Sequence, residues 1–274
     1  MPGGYHRGGR LGVVMAEIVN PARHRLQQGE LSLGVGIRIS RSIEIARMMQ
    51  SAGFDWLFLD LEHGMLTLDT CSQIAIAALD AGISPIVRVP ERQYDMAARA
   101  LDGGCWGVVM PHVDTADEAR EMVDHLKYPP DGHRSSGGML PHLGYRAMNS
   151  GEAARIINAE VLLVPMVETP TSVANAEAIA AVPGIDGLLI GSNDLSLEMG
   201  IAGQFTHPKM VDAYDRVIAA CRKHGKWPGM GGVSADDLFR RYIGAGMRMI
   251  LGGNDIPFLL QGAAQRTSLL RGCL

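Results

Sequence analysis

Short apolar runs alternate with longer amphipathic segments from about residue 32 to the end of the chain. The runs are rich in Val, Ile and Leu, and each is followed by a Gly or Pro turn and a segment of helical periodicity. One such segment starts at Thr115, where Thr115 and Glu118 have the spacing of a capping box. The apolar runs predict eight strands, which begin at Ser32, Trp56, Ser84, Trp106, Val161, Gly187, Lys226 and Met247.

Eight strand and helix repeats predict an α/β fold of the (β/α)₈ TIM-barrel type, in which parallel strands close into a cylinder surrounded by helices. An open doubly wound sheet would carry a G-x-G-x-x-G after its first strand, and this motif is missing there. We expect residues 1–20 to be a flexible N-terminal segment and residues 21–274 to be a single barrel domain. The Gly, Pro and Ser-rich stretch 128–151 predicts a long functional loop, either a lid or a subunit contact.

Composition excludes several classes of protein. The chain has 274 residues with 25 Lys and Arg against 29 Asp and Glu, so its net charge of -4 disfavours nucleic-acid binding. It has neither a long apolar run nor the pattern of a signal peptide, which predicts a soluble, cytoplasmic protein without a membrane partner. The cysteines Cys71, Cys105, Cys221 and Cys273 form no C-x-x-C pair and are expected to be reduced.

Polar residues follow the predicted strands at the point where each strand ends. The carboxyl ends of barrel strands form the catalytic mouth, so these side chains are the candidate site. They are Asp60, Glu62, His63, Arg88, His112, Glu168, Asn193 and Asp194. Glu168 and Asp194 are two hard oxygen donors on neighbouring strands, which predicts a Mg²⁺ or Mn²⁺ site with open positions. The alternative is that either carboxylate only caps a helix.

Three of these residues have candidate roles in chemistry. Arg88 follows an apolar run, and its guanidinium would suit a developing enolate or a carboxylate, although a salt bridge to Glu91 or Asp60 is the alternative. His63 is the candidate general base, with Asp60 fixing its tautomer. His112 would bind substrate or assist proton transfer.

The turn IGSNDLS leaves a strand and begins a helix. The backbone N–H groups there, with Gly191 allowing close approach, would bind a small carboxylate at Ser192 and Asn193. The lysines Lys127, Lys209, Lys223 and Lys226 all lie away from strand carboxyl ends, which disfavours a lysine Schiff base and favours enolate stabilisation by a metal.

Several strings in order along the chain resemble one enzyme family. The strings are FDWLFLDLEHG, PIVRVPE, VMPHVDTADEA, KYPPDGHRSSG, PMVETP and IDGLLIGSNDLSLEMG. They resemble the metal-dependent class II pyruvate aldolases of the HpcH/HpaI family, which includes 4-hydroxy-2-oxoheptanedioate aldolase, 2-dehydro-3-deoxyglucarate aldolase and macrophomate synthase. The resemblance extends from about residue 30 to the last helix.

The resemblance implies a barrel of the phosphoenolpyruvate/pyruvate-binding type, assembled as a homohexamer, a trimer of dimers with swapped C-terminal helices. It implies that Glu168 and Asp194 hold Mg²⁺ or Mn²⁺, with Co²⁺ as an alternative, and that Arg88 stabilises the enolate. His63 would work with Asp60 in proton transfer, and Asp102 would be contributed across a subunit interface. Pyruvate's carboxylate would lie at the turn from Ser192 to Asp194.

Two positions depart from the family pattern. Met166 stands where many relatives have a Gln two residues before the metal glutamate, so a polar contact to the substrate is replaced. His112 stands where a nonpolar residue is frequent, and its spacing from Arg88 is more similar to macrophomate synthase. Both positions belong to the predicted substrate-binding set.

The function expected from the resemblance is reversible retro-aldol cleavage of a 4-hydroxy-2-oxo acid to pyruvate and an aldehyde, in the catabolism of aromatic or sugar acids. Decarboxylation of oxaloacetate would be a side activity. The alternatives are a macrophomate-synthase-like reaction and cleavage of an acyl-CoA such as citramalyl-CoA. A CoA lyase would want a basic patch near the mouth, for which Arg134 and Arg146 are candidates. A third alternative is a non-catalytic barrel.

Overall fold

A computed structural model describes residues 18–273 of the chain. Within them eight parallel strands close into one barrel in the order β1 to β8, with β8 pairing back to β1. This arrangement confirms the predicted (β/α)₈ fold. The strands are β1 (Ser32–Ile37), β2 (Trp56–Asp60), β3 (Ser84–Arg88), β4 (Gly107–Met110), β5 (Leu162–Val167), β6 (Gly187–Gly191), β7 (Trp227–Gly231) and β8 (Met249–Asn254).

Helices follow the strands and form the outer layer. The capping box predicted from Thr115 and Glu118 is present at the start of α5. A short 3₁₀ helix, Pro141–Leu143, lies in the long loop between α5 and α6. The α-helices of the described residues are α1 (Pro21–Gln27), α2 (Glu44–Ser51), α3 (Leu68–Ala81), α4 (Tyr94–Asp102), α5 (Ala116–Leu126), α6 (Ser150–Glu160), α7 (Pro170–Ala174), α8 (Ala176–Ala180), α9 (Ser192–Glu198), α10 (Pro208–Lys223), α11 (Asp236–Ala245) and α12 (Asp255–Arg271).

The barrel interior is filled by large side chains that require a small residue opposite them. Trp56 is fully buried, and it lies in register with Gly34 on the neighbouring strand. A Cβ at Gly34 would lie 2.2 Å from the Trp56 ring, so only glycine fits beside it. The interior is therefore a packed core, and ligands have access only at its ends.

Helix α1 closes the N-terminal end of the barrel. Its Ala22 and Leu26 are buried against the interior side chains. Asn20 caps α1 and is itself fully buried, where its side-chain amide donates to the carbonyls of Trp106 and Glu160. The ordered barrel thus includes Asn20, which we had predicted to belong to a flexible segment. The prediction for residues 1–17 lies outside the described residues.

The long loop predicted at 128–151 also lies at the N-terminal end. The side chain of Arg134 donates to Asp102 at 2.6 Å, and the ring Nε2 of His142 lies 3.0 Å from the carbonyl oxygen of Cys105, just before β4. The loop therefore does not cover the mouth of its own barrel, and its expected role as a lid there is wrong. A subunit contact stays a prediction.

Two further expectations concern the chain as a whole. No helix within residues 18–273 combines the length and apolar character needed to cross a bilayer. All four cysteines carry free thiols, three of them buried and Cys273 exposed, which agrees with the predicted absence of disulfides.

Candidate active site

The carboxyl ends of β2 and β3 place Asp60 and Arg88 side by side. The two residues are partners in the strand register, and both are buried. The Arg88 guanidinium donates to both oxygens of Asp60, from Nε at 3.0 Å and from Nη2 at 2.6 Å. It also lies over the Phe58 ring, with 5.0 Å from Cζ to the ring centroid. The alternative interpretation, a salt bridge between Arg88 and Asp60, is thus confirmed. This bidentate salt bridge fixes the direction of the guanidinium.

Asp60 also holds a second arginine. The Nε of Arg38, which follows β1, donates to Asp60 Oδ2 at 2.9 Å. Burial raises the pKa of the Asp60 carboxyl, but the hydrogen bonds from Arg88 and the charges of Arg88 and Arg38 outweigh burial and hold the pKa below its usual value. Asp60 is therefore an anion at neutral pH that anchors two cations.

His63 lies in the turn after β2 and faces Glu62 rather than Asp60. Its Nε2 is 3.7 Å from Glu62 Oε2, and the same Glu62 oxygen lies 3.1 Å from Nη1 of Arg88. Asp60 accepts only the backbone N–H of His63, at 3.1 Å. The expectation that Asp60 orients the imidazole therefore does not match the structure, because Arg38 and Arg88 occupy its oxygens. Glu62 is the neighbouring carboxylate.

The tight turn after β2 is what brings His63 to the mouth. A Cβ at Gly64 would lie 2.2 Å from the carbonyl oxygen of Asp60, so the chain can turn back here only with glycine. The imidazole itself is half-exposed. It is thus accessible to a ligand in the barrel mouth.

Glu168 follows β5 and is almost fully buried. Its Oε2 accepts the backbone N–H of His112 at 3.1 Å, and its own N–H donates to Ser172 Oγ at 3.2 Å. Burial raises the pKa of Glu168 to about 7, the negative charge of Asp194 adds to the increase, and the His112 contacts oppose it. Glu168 and Asp194 therefore form a carboxylate pair with more negative charge than its surroundings neutralise.

His112 contacts Glu168 of this pair through its backbone N–H group. It has a φ of 51°, a left-handed conformation that is costly for a non-glycine residue, and this conformation aims its N–H at Glu168. Its ring Nδ1 lies 3.8 Å from Glu168 Oε2. His112 is not among the residues that line the cavity at the mouth. Its predicted role in substrate binding stays a prediction.

The turn from β6 into α9 presents backbone amides to the same mouth. Gly191 is the N-cap of α9 and supplies no side-chain cap, and a Cβ there would lie 2.6 Å from Glu168 Oε1. The Ser192 hydroxyl is occupied elsewhere, because it donates to the Gly231 carbonyl at 2.7 Å and lies 2.5 Å from the Tyr214 hydroxyl. Ser192 could therefore contact a ligand only through its backbone.

These groups surround a cavity of about 220 Å³ at the carboxyl end of the barrel. Met166 lines it, and its sulfur lies 4.0 Å from Nη1 of Arg88. The residues that line the cavity are Arg38, Phe58, His63, Arg88, Met166, Leu189, Gly191, Ser192, Asn193, Asp194, Gly231, Gly232 and Leu251. Most of the predicted site residues are thus brought together in one place.

Asp60, His112 and Glu168 adjoin the cavity without lining it, whereas Asp102 lies at the other end of the barrel. It is the last residue of α4, at the N-terminal end of the barrel, and is paired with Arg134. Arg146, the other candidate for a CoA-binding patch, lines a different cavity with Trp106 and His142. Neither arginine therefore contributes a basic patch to the mouth of its own barrel.

None of the four lysines, all within the described residues, lines the cavity at the mouth. Lys127 and Lys226 donate to backbone carbonyls next to the N-terminal ends of strands, Lys209 donates to Met199, and Lys223 pairs with Glu177. The expectation that no lysine lies at a strand carboxyl end is confirmed. A Schiff base would have no amine in this site.

Arg38 is the residue that sequence reasoning missed. Arg38 comes directly after the apolar residues of β1, just as Arg88 comes directly after those of β3. This position was the signal by which Arg38 could have been predicted as a site residue. The apolar run that predicts the first strand reads SLGVGIRI and extends from Ser32 to Ile39. This run placed Arg38 inside a strand rather than at its end. In the structure β1 ends at Ile37, and Arg38 is the first residue of the mouth.

The arrangement combines oxygen donors with a fixed cation and a titratable imidazole. Asp194, Arg88 and His63 lie on the lining of the cavity, and the buried Glu168 lies close enough to Asp194 for that charge to raise its pKa. Among the described residues no group of three or more His, Cys, Asp or Glu side chains forms a candidate metal cluster. A divalent cation held by these two carboxylates would keep most of its coordination positions open for oxygen atoms of a ligand. This donor set suits stabilisation of negative charge on oxygen.

Comparison with known proteins places the chain among lyases. A family model described as HpcH/HpaI aldolase/citrate lyase matches residues 39–256. The 4-hydroxy-4-methyl-2-oxoglutarate aldolase of Hapsidospora irregularis is 38% identical over 92% of this chain and 94% of its own length. The enzyme of the same name from Chaetomium globosum is 42% identical over 75% and 77%. A solved HpcH/HpaI aldolase of Desulfitobacterium hafniense has a TM-score of 0.86 at 28% identity, covering 91% of this chain and 96% of that one.

Proposed function

Because the chain belongs to the HpcH/HpaI aldolase/citrate lyase family, we propose that its site cleaves a 4-hydroxy-2-oxo acid into pyruvate and a carbonyl compound. The protein is an aldolase, a carbon–carbon lyase, and the cleaved bond is the one between C3 and C4. The observation that carries the proposal is the carboxylate pair beside Arg88 at one barrel mouth. Loss of CO₂ from oxaloacetate leads to the same enolate and is proposed as a side activity.

The residues present fit a divalent cation. Glu168 is buried, and its pKa of about 7 shows that burial and the adjacent charge of Asp194 outweigh the lowering effects of His112 and Arg88. Carboxylate oxygens with open positions suit Mg²⁺ or Mn²⁺, with Co²⁺ as an alternative. We propose that Glu168 and Asp194 hold this ion. When bound, it supplies a Lewis acid that stabilises the enolate of pyruvate.

Arg88 is the fixed cation of the proposed reaction. Cleavage turns the C3–C4 electron pair into an enolate, so negative charge develops on the oxygen at C2. Because two contacts to Asp60 hold the guanidinium, it need not reorganise when this charge appears. The Met166 sulfur and the Phe58 ring also lie beside the guanidinium, which together with the contacts to Asp60 and Glu62 leaves it almost fully buried.

His63 is the proposed base. Its imidazole would accept the proton of the C4 hydroxyl as the C3–C4 bond breaks, and it would return a proton to C3 of the enolate. Glu62 stands 3.7 Å from its Nε2 and would stabilise the imidazolium between the two transfers. The backbone amides at Ser192 and Asn193 would hold the C1 carboxylate, because the Gly191 cap leaves them without a side-chain acceptor.

The experiment that tests the proposal is exchange of the pyruvate methyl protons in D₂O. Proton NMR with Mg²⁺, or mass spectrometry with the paramagnetic Mn²⁺, follows C3 without any aldehyde. We expect exchange that stops on chelation and in Glu168→Gln, and that falls strongly in Arg88→Met. Glu198→Gln, an exposed carboxylate change on the same helix as Asp194, is the matched control.

A readout independent of turnover tests the carboxylate pair. Mn²⁺ binding followed by electron paramagnetic resonance should weaken by about 10–100-fold in Glu168→Gln and in Asp194→Asn, since each loses a charged ligand. Exchange that persists after chelation would contradict a role for the pair. Absence of exchange with every metal would contradict enolisation of pyruvate.

Assembly is proposed from helix α12. Leu259, Leu260, Leu269 and Leu270 are about 60% exposed, and Asp255 is the only buried residue of the helix. An apolar surface of this kind marks a contact between subunits. We propose that α12 packs on a second copy of the chain, in agreement with the predicted homohexamer. Leu260→Glu with Leu269→Glu should lower the mass measured by light scattering, and an unchanged mass would contradict the contact.

Asp102 would then act in a neighbouring subunit. It lies at the far end of its own barrel with a side chain 41% exposed, so it can complete a site only in an assembly. Co-expression of an Asp102→Asn chain with an Arg88→Met chain would test this role. Sites built from the intact residue of each chain should recover activity. Mixed assemblies that are no more active than either parent would contradict a shared site.

A further inference from the structure

A second cavity of about 250 Å³ adjoins the active-site cavity. The two share Arg38, Phe58, Asn193, Gly232 and Leu251 on their linings. The second cavity extends toward the carboxyl ends of β1, β7 and β8, away from Glu168. The active-site cavity alone, at about 220 Å³, is small against the roughly 300–1,000 Å³ of typical ligand sites. A substrate whose 2-oxo end lies in the first cavity therefore has room for its other end in the second.

Among residues 18–273, Arg38 is the only charged residue on the lining of the second cavity. The remaining polar side chains there are neutral, namely Asn193, Ser234 and Asn254. The Nε of Arg38 donates to Asp60, while its two terminal amino groups have no protein partner among the described residues. A cation with unused donors in an otherwise uncharged compartment selects a negatively charged group on the ligand.

The loop that carries Arg38 is held in place by Asp255. The Oδ1 of Asp255 accepts the N–H of Arg38 at 3.1 Å, and its Oδ2 accepts the N–H groups of Ile39 at 3.0 Å and Ser40 at 2.8 Å. Asp255 is itself buried. With its backbone fixed by Asp255 and its Nε by Asp60, the guanidinium loses little freedom when a ligand binds.

We propose that Arg38 binds a second carboxylate at the distal end of the substrate, which makes the enzyme selective for dicarboxylic 4-hydroxy-2-oxo acids. The inference rests on the proposed aldolase function and specifies its substrate class. The carbonyl fragment released with pyruvate then itself carries a carboxylate, unlike a simple aldehyde. A guanidinium matches a carboxylate with two parallel N–H···O bonds, which gives direction as well as charge.

The test compares two acids that differ only at C5. In 4-hydroxy-2-oxoglutarate C5 is a carboxylate, and in 4-hydroxy-2-oxopentanoate it is a methyl group. The rate of pyruvate release, followed by the methyl signal of pyruvate in proton NMR, gives kcat/KM for each acid. The quantity of interest is the ratio of the two kcat/KM values, because damage to Asp60 and Arg88 common to both acids cancels in it.

We expect the wild type to favour the dicarboxylic acid. In Arg38→Met the ratio should fall by about 10–100-fold, the loss of a charge-assisted hydrogen bond. Arg38→Lys should recover part of the preference because it keeps the charge without the fork. Arg41→Met, a change at an exposed arginine three residues away that lies on the lining of neither cavity, controls for long-range charge and should leave the ratio unchanged.

Two results would overturn the inference in distinguishable ways. A ratio within about twofold of wild type in Arg38→Met, or a wild type that favours the methyl compound, would show that Arg38 only holds Asp60. The aldolase proposal would survive that result. A wild type that cleaves neither acid and exchanges no pyruvate protons would overturn the aldolase proposal and this inference together.

Discussion

Replacing Asp60 with Asn tests how the site holds the Arg88 guanidinium. The two Asp60 oxygens accept five hydrogen bonds, two from Arg88, one from Arg38 and one each from the backbone of Glu62 and His63. An Asn side chain has one acceptor oxygen, and its NH₂ group would face a guanidinium donor. We therefore expect Arg88 to lose its fixed direction.

The magnitude follows from burial. Removing one partner of a buried ion pair costs about 3–5 kcal/mol. Glu62 remains as a partner, because its Oε2 lies 3.1 Å from Arg88 Nη1, so we expect the lower limit, about 3 kcal/mol in the free energy of unfolding. For the reaction, a displaced donor to a developing oxyanion costs about 10²–10³-fold in rate.

The pH dependence of this loss has a defined sign. Hydrogen bonds and charges from the arginines hold the Asp60 pKa below its ordinary 3.8, against the effect of burial. The carboxylate thus stabilises the fold at every pH above that value, and this contribution is lost as the pH falls through the lowered pKa. Wild type and Asp60→Asn should differ by a constant amount near neutrality and converge only in strong acid.

Urea unfolding at fixed protomer concentration and pyruvate proton exchange measure the two effects. Asp95→Asn, the same change at an exposed position on α4, is the control. The double variant Asp60→Asn with Arg88→Met no longer carries the buried charge of Arg88. Its free energy of unfolding should therefore be no lower than that of Asp60→Asn alone. Proton exchange of pyruvate should stay lost in the double variant. Retention of wild-type exchange and stability in Asp60→Asn would refute the anchoring role.

Two other predictions concern His142 and Gly191. Burial lowers the pKa of His142 from 6.5 to about 4. As the pH falls, His142 is therefore protonated in the unfolded chain before it is protonated in the folded chain. The free energy of unfolding should fall by up to about 3 kcal/mol between pH 6.5 and 4. His142→Gln should flatten this part of urea-unfolding curves measured against pH, whereas the exposed His24→Gln should not. Gly191→Ala places a Cβ 2.6 Å from Glu168 Oε1, so it should weaken Mn²⁺ binding by about tenfold or more. Unchanged binding would contradict the close packing.

The fold could be predicted because barrel strands carry strong local signals. Most of the apolar runs are buried along their length, and several, such as those of β2, β3 and β5, end at or just before a charged residue, which marks both the strand and its carboxyl end. Arg88 and Glu168 were found in this way. Asp60 was found as well, but it was assigned to His63, and its pair with Arg88 was only the alternative, because the pairing of side chains depends on strand register. In the structure that register sets Asp60 beside Arg88 and leaves His63 to Glu62.

Other features of the site depend on contacts between distant parts of the chain. The loop that carries Arg38 is held by Asp255, more than 200 residues away, and no local pattern records this contact. The loop at 128–151 has the composition of a lid, yet His142 and Arg134 attach it to the N-terminal end of the barrel. Composition identifies a loop, and only packing decides which end of the barrel it covers.

The excess of negative charge at the mouth predicts that the proposed divalent cation binds before the 2-oxo acid. Four carboxylates, Asp60, Glu62, Glu168 and Asp194, stand against the two arginines Arg38 and Arg88, and both arginines already contact Asp60. A 2-oxo acid brings further negative charge into this field. The divalent cation proposed for the carboxylate pair would balance this excess, since an uncompensated charge in a part-buried site is costly. The second cavity carries no carboxylate, so Arg38 can meet a distal anion there without the repulsion that the first cavity imposes.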